Sequence, residues 1–324
     1  MKFQLEKPPI VYEAKESQKG LNWALELLIF FALYIVISIG QLIFTFPAEI
    51  ILLLTNKNFM TGIQTGNVAL QEMGMMEIGT SNSYTIAMLF STSIIILVSM
   101  LFCKLIQKRK MRTIGFIKKE FLKEYVIGLL VGFIFISLCV LLCVVTGSIK
   151  ITGLSSTFSI IPFILLGLGY MIQGMSEEVL CRGVMMVSIG RRYPMWVAVL
   201  LNSLFFAALH LGNSGIGILP MINLVLFGIF ASIYFIKRGD IWGISAMHSI
   251  WNFAQGHFYG IKVSGIDSSC SVLNSVFVEG KELINGGNFG IEGGITDTII
   301  HVLAIVVLLL IPAKYTKKET ATVE

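Results

Sequence analysis

Apolar residues gather in long runs separated by short polar connections. At about 1.5 Å of rise per residue, roughly 20 apolar residues make a helix that crosses a bilayer. The runs at 22–46, 84–106, 122–146, 158–176, 195–211, 218–236, 241–256 and 296–312 approach or meet that length, and the first can extend past Pro47 to Leu54. The pattern predicts an all-α, polytopic membrane helical bundle of about eight transmembrane helices. One membrane domain (22–312) is expected between tails at 1–21 and 313–324. Residues 212–217 read as a tight turn between spans. The connections 55–83 and 257–295 are too short and too rich in Gly, Asn and Ser for further domains, and no tandem repeat is visible.

Composition agrees: 55% of residues are hydrophobic, 13% are charged, and mean hydropathy is +0.83, far from a soluble globular chain. The first run is too long for a cleavable signal and lacks a small-residue cleavage site, so it is expected to stay.

The charges then set orientation. With eight spans, Lys2, Lys7, Lys15 and Lys19, the eight lysines and arginines of 104–124, Arg182, Arg191 and Arg192 of 177–194, Lys237 and Arg238, and Lys314, Lys317 and Lys318 share one side. The opposite connections hold few. Both termini are therefore expected in the cytoplasm of a plasma-membrane protein, with the basic 104–124 stretch on anionic lipid. This asymmetry accounts for the net charge of +5. The basic residues lack interleaved aromatics, which argues against nucleic-acid binding. Cys103, Cys139, Cys143 and Cys181 lie in or beside apolar runs, and Cys270 has no partner in its loop, so no disulfide framework is expected.

Against this background the buried polar residues stand out, because an ionised carboxylate in hydrocarbon costs at least about 2.5–3.5 kcal/mol. Glu177 and Glu178 end the run that starts at Phe158. Glu178 is four residues before Arg182, the favourable order for an ion pair, whereas Glu177 shares a face with Gln173 and is left freer. Asn202, Phe206 and His210 mark one face of the fifth run; His248, Asn252 and Gln255 mark one face of the seventh. By helical rise, His248 lies about 15 Å and His210 about 25 Å from the basic side. Glu177 meets them near mid-membrane only if its helix continues, tilted, to about Ile189. His257 and His301 fall near expected helix ends, where snorkelling or surface hydration suffices. Trp251 and Phe206 are expected to pack, and the apolar setting of Cys181 disfavours a thiolate nucleophile.

A carboxylate, two imidazoles and an amide permit two chemistries. Glu177, His210 and His248 could hold Zn2+ and activate water. Without metal, Glu177 would be the general base, one histidine would orient the water, and the other histidine with Asn252 would stabilise the oxyanion.

Glu177-Glu178-x-x-x-Arg182, Phe206-x-x-x-His210 and His248-x-x-x-Asn252, in this order, resemble the three motifs of the CPBP family, also called Abi: CAAX-protease and bacteriocin-processing intramembrane endopeptidases. The resemblance spans about 110–260, and Arg112 to Phe116 looks like the pattern ahead of the family's core. It implies an intramembrane endopeptidase, metalloprotease or glutamate-type, with a site open to the cytoplasm and a membrane-associated protein or peptide substrate, prenylated in eukaryotic members. By position, Glu177 would activate water, Glu178 and Arg182 would support it, and His210, His248 and Asn252 would bind metal or stabilise the transition state. Cys181 replaces an often aromatic residue. The alternatives are a non-proteolytic scaffold or immunity protein of the same fold and a proton-coupled transporter. The transporter is disfavoured by the lack of paired broken helices.

Overall fold

The computed structural model describes residues 5–17 and 20–315 and is an all-α polytopic bundle. Its chain order is α1 Pro9–Ser17, α2 Trp23–Thr55, α3 Lys57–Thr65, α4 Val68–Gly79, α5 Asn82–Ile106, α6 Phe121–Val145, α7 Ile160–Gly190, α8 Met195–Ala208, α9 Ile218–Arg238, α10 Trp242–Phe253 and α11 Ile295–Leu310. Among the described residues, α2, α5, α6, α7 and α9 are long and apolar enough to cross a membrane. The other three expected spans are the shorter α8, α10 and α11. Lys2, Lys19, Lys317 and Lys318, counted above toward the basic side, lie outside the described residues.

Helix ends follow local chemistry. The Asn22 side chain accepts from the Leu25 amide to start α2, which runs through Pro47 to Thr55, and Asn56 caps α3 in the same way. The 55–83 connection is thus mostly the helical pair α3 and α4. Two strands were not foreseen: Ile149–Leu154 (β1) and Leu273–Phe277 (β2) pair antiparallel, tying two connections together on the face away from the basic side.

Small residues set the helix spacing. A Cβ at Gly128 would lie 2.0 Å from the Gly243 carbonyl oxygen, and one at Gly132 would lie 2.4 Å from that of Met247, so α6 meets α10 backbone to backbone. Likewise a Cβ at Gly174 would sit 2.4 Å from Ser249 Oγ, seating α7 on α10. The contact of α7 with α10 brings the helix carrying Glu177 against the helix carrying His248.

The basic side is closed by a buried polar network. The N-terminal segment, expected as a tail, contains α1, docked through buried Ile10, Val11 and Ala14. Glu26 accepts from Ser188 at 2.9 Å and lies 3.7 Å from Arg191. Residues Val179–Met186 within α7 are a π-helix. Arg109 donates to the Gly183 and Val184 carbonyls at 3.0 and 3.2 Å, and also to Gln107 and Thr113, satisfying backbone oxygens within the altered turn. Gly183 is needed here, since a Cβ would lie 2.4 Å from Ile114 Cγ2. Ile114 belongs to the Arg112 to Phe116 stretch, which therefore buttresses the π-helix.

Candidate active site

The condition set by helical rise is met: α7 continues unbroken from Ile160 to Gly190. Within it, Glu178 and Arg182 form the ion pair expected from their spacing, Nη1 donating to Oε1 at 2.9 Å, with both side chains fully buried. The Arg182 guanidinium lies 4.7 Å from the Phe206 ring centroid and 5.6 Å from that of Phe227. Phe206 is thus more than filler, since the ring face stabilises a cation cut off from water.

His248 bridges the two glutamates. Its Nδ1 is 2.9 Å from Glu178 Oε1, and its Nε2 is 3.7 Å from Glu177 Oε2. With Nδ1–H donated to Glu178, the ring is fixed and Nε2 faces Glu177. Glu177 is held from its other side: Gln173 Nε2 donates to Oε1 at 2.6 Å, and Asn252 Nδ2 donates to Gln173 Oε1 at 3.0 Å. Glu177 Oε2 has no hydrogen-bond partner among the described residues. The result is a firmly oriented carboxylate with one uncommitted oxygen beside an uncommitted imidazole nitrogen.

A cavity of about 710 Å3 adjoins this pair, and Glu177, His210, His248 and Asn252 all line it. His210 stands just beyond the end of α8, with Nδ1 at 2.9 Å from the Phe206 carbonyl oxygen and its ring tilted against that of Phe206, centroids 4.8 Å apart. Two other expected members of these faces are used elsewhere. Asn202 donates to Ser232 in the contact of α8 with α9, and Gln255, in the π turn Ala254–Phe258, donates to the Lys262 carbonyl.

The cavity runs away from the basic side. From Tyr34, Cys181 and His248 its wall extends to Glu49, Gly79 and Ile266, and no described residue of the basic connections lines it. Leu42 and Met88, 64% and 41% exposed, flank it between α2 and α5, and Ile266, 50% exposed, flanks it at a loop. The exposed residues of its lining thus lie toward the connections that carry few lysines and arginines. The Arg109 and Glu26 network fills the basic side.

The histidines set aside as helix-end residues are buried. His257 sits 2.6 Å through Nδ1 from the Cys270 carbonyl oxygen. His301 lies within α11, with Nδ1 3.0 Å from Asp297 Oδ1, and it lines the cavity against Trp251 and Phe227. Neither depends on surface hydration: the Cys270 loop covers His257, and Phe227, Phe230 and Trp251 of α9 and α10 enclose His301. Asp297-x-x-x-His301 is the same acid-then-base spacing that made Glu178 and Arg182 legible. Glu292, from the 3-10 turn Ile291–Gly293, completes this wall, with Oε2 accepting from the Ser264 amide and hydroxyl at 2.7 and 2.8 Å. Desolvation pushes the Glu292 carboxyl up to about 7, against the opposing pull of the Ser264 hydrogen bonds.

The donor set expected for zinc does not fit as assembled. Only Glu177 and His248 approach each other, and among the described residues no three His, Cys, Asp or Glu side chains converge for a metal ion. All five cysteines are buried and free of disulfides.

Residues 159–254 match the model of a family described as Rce1-like, Type II CAAX prenyl endopeptidase Rce1-like. The matched segment contains Glu177 through Asn252 and ends before Glu292, Asp297 and His301. No curated protein and no solved structure matches the chain.

Proposed function

From an Rce1-like CAAX endopeptidase domain over residues 159–254, in line with a CPBP-type intramembrane protease, we propose that this chain hydrolyses a peptide bond with water activated by Glu177. The observation carrying this reading is the unpartnered Glu177 Oε2, 3.7 Å from His248 Nε2. A water bound by both has one proton directed to the carboxylate and is oriented by the imidazole. Glu177 takes that proton as the hydroxide attacks the carbonyl carbon. When the C–N bond breaks, the same proton passes to the leaving nitrogen.

The remaining residues serve this step. Glu178, fixed by Arg182, holds the His248 ring. Asn252 acts through Gln173 to aim Glu177, and so is a positioning residue. His210 faces the cavity and supplies the hydrogen bond to the developing oxyanion when protonated. The route is of the glutamate type, and no step passes through a metal. The substrate is a membrane-associated protein or peptide, reaching the site through the cavity between α2 and α5 or from the loop face. With the basic connections in the cytoplasm, that face is the outer one.

The test is peptide cleavage by the purified protein in lipid nanodiscs, wild type against Glu177→Gln and His210→Ala, with and without a zinc chelator. Cleavage that survives the chelator and vanishes in Glu177→Gln supports the reading. Stoichiometric zinc lost together with His210 overturns its metal-free form. Full cleavage by Glu177→Gln overturns the assignment of the base.

A further inference from the structure

The cavity has a second polar wall that lies outside the matched segment. Glu292, pinned by Ser264, and Asp297 with His301 all line it. In the neutral ring whose Nδ1–H points to Asp297, His301 Nε2 is an acceptor. It has no partner among the described residues, although His301 is only 1% exposed. Burying carboxyls and an orphaned acceptor is costly unless a ligand meets them.

Charge decides what that ligand is. Glu49, Glu177, Glu292 and Asp297 line the cavity, while no lysine or arginine among the described residues does. A carboxylate entering this space, including the free C-terminus of a peptide, meets like charge, whereas an ammonium or guanidinium finds acceptors from two carboxyls and an imidazole. Convergence of three metal-binding side chains is absent among the described residues, which favours an organic cation over a metal ion.

Position ties this wall to the reaction. The Phe227 ring lies between the two histidines, its centroid 4.7 Å from that of His248 and 5.6 Å from that of His301. A peptide advancing about 3.3 Å per residue spans that separation in a few residues. Building on the hydrolase reading, we propose that Glu292 and the Asp297–His301 pair form a subsite for a basic side chain, lysine or arginine, within a few residues of the scissile bond. Substrates are then apolar segments bearing a positive charge near the cut, rather than segments presenting a free carboxylate there.

The experiment separates binding from turnover. Glu177→Gln protein in nanodiscs of neutral lipid is titrated with fluorescent apolar peptides that carry lysine, norleucine or glutamate at each position in turn. At one or two positions lysine should bind at least about tenfold more tightly than norleucine, with glutamate weakest. The lysine advantage should fall to about twofold when Asp297→Asn or Glu292→Gln is added, while the norleucine peptide binds unchanged, which also reports that the cavity has folded. Equal binding of lysine and norleucine peptides at every position, binding by none, or an advantage that survives both substitutions overturns the subsite. Lysine-selective binding without cleavage by the wild type keeps the subsite and removes the hydrolase.

Discussion

The two halves of the bundle treat buried charge in opposite ways. On the basic side, Arg109 makes hydrogen bonds to Gln107, Thr113, Gly183 and Val184, and Glu26 is met by Ser188 and Arg191. Glu124 there accepts from Arg238 and from Lys314, the latter at 2.8 Å. Across the cavity, by contrast, Glu177 Oε2, Glu178 Oε2 and His301 Nε2 are buried without hydrogen-bond partners. Saturated charge holds a fold together; unsaturated charge beside a cavity is available to water and substrate. Substitutions in the first half should therefore act on stability, and those in the second on chemistry.

The largest effect is expected where the halves meet. Glu178→Ala strips a fully buried arginine of its carboxylate and releases His248, so it should cost about 3–5 kcal/mol of stability and abolish cleavage, read by thermal unfolding and peptide turnover in nanodiscs. On the saturated side, Arg109→Met should cost about 1–3 kcal/mol for each carbonyl left unpaired, with the cleavage rate of the folded fraction unchanged. Rate loss in proportion to wild-type folded protein would blur the comparison. On the cavity side, Asn252→Ala loosens Gln173 and hence Glu177. It should lower kcat by about tenfold to a hundredfold with KM and melting temperature nearly constant.

The smallest effect is on pH dependence. The Glu292 carboxyl is raised from 4.5 to about 7, chiefly by desolvation, so its stabilising contribution is full below about pH 4.5 and is lost as pH rises through about 7. Melting temperatures of wild type and Glu292→Gln should run in parallel at the acidic end and separate between those values, the wild type falling more. Parallel curves throughout would place Glu292 in water.

Much of this division was legible in residue spacing. The i,i+4 relation paired Glu178 with Arg182 and left Glu177 apart, as the structure has it, and the continuation of α7 through Ile189 was the stated condition for convergence. The π-helix was not legible, because its carbonyls are satisfied by Arg109, whose contact with 183 and 184 no local pattern encodes. Nor was the burial of His301: judged from position alone, a histidine near a helix end is hydrated, and only the packing of Phe227, Phe230 and Trp251 from α9 and α10 around it removes it from water. The sheet between β1 and β2 escaped for the same reason, its strands lying in two connections far apart in sequence. The direction of the cavity depends on which end of the bundle is filled, a tertiary property.

The central claim is that Glu177, held by Gln173 and facing His248, supplies the base. Its most direct test is turnover by Glu177→Gln in nanodiscs with peptide binding measured on the same sample. The account predicts unchanged binding and melting temperature with cleavage lowered by about 10²–10⁴-fold. Cleavage within about twofold of wild type, at equal folding and binding, would contradict it.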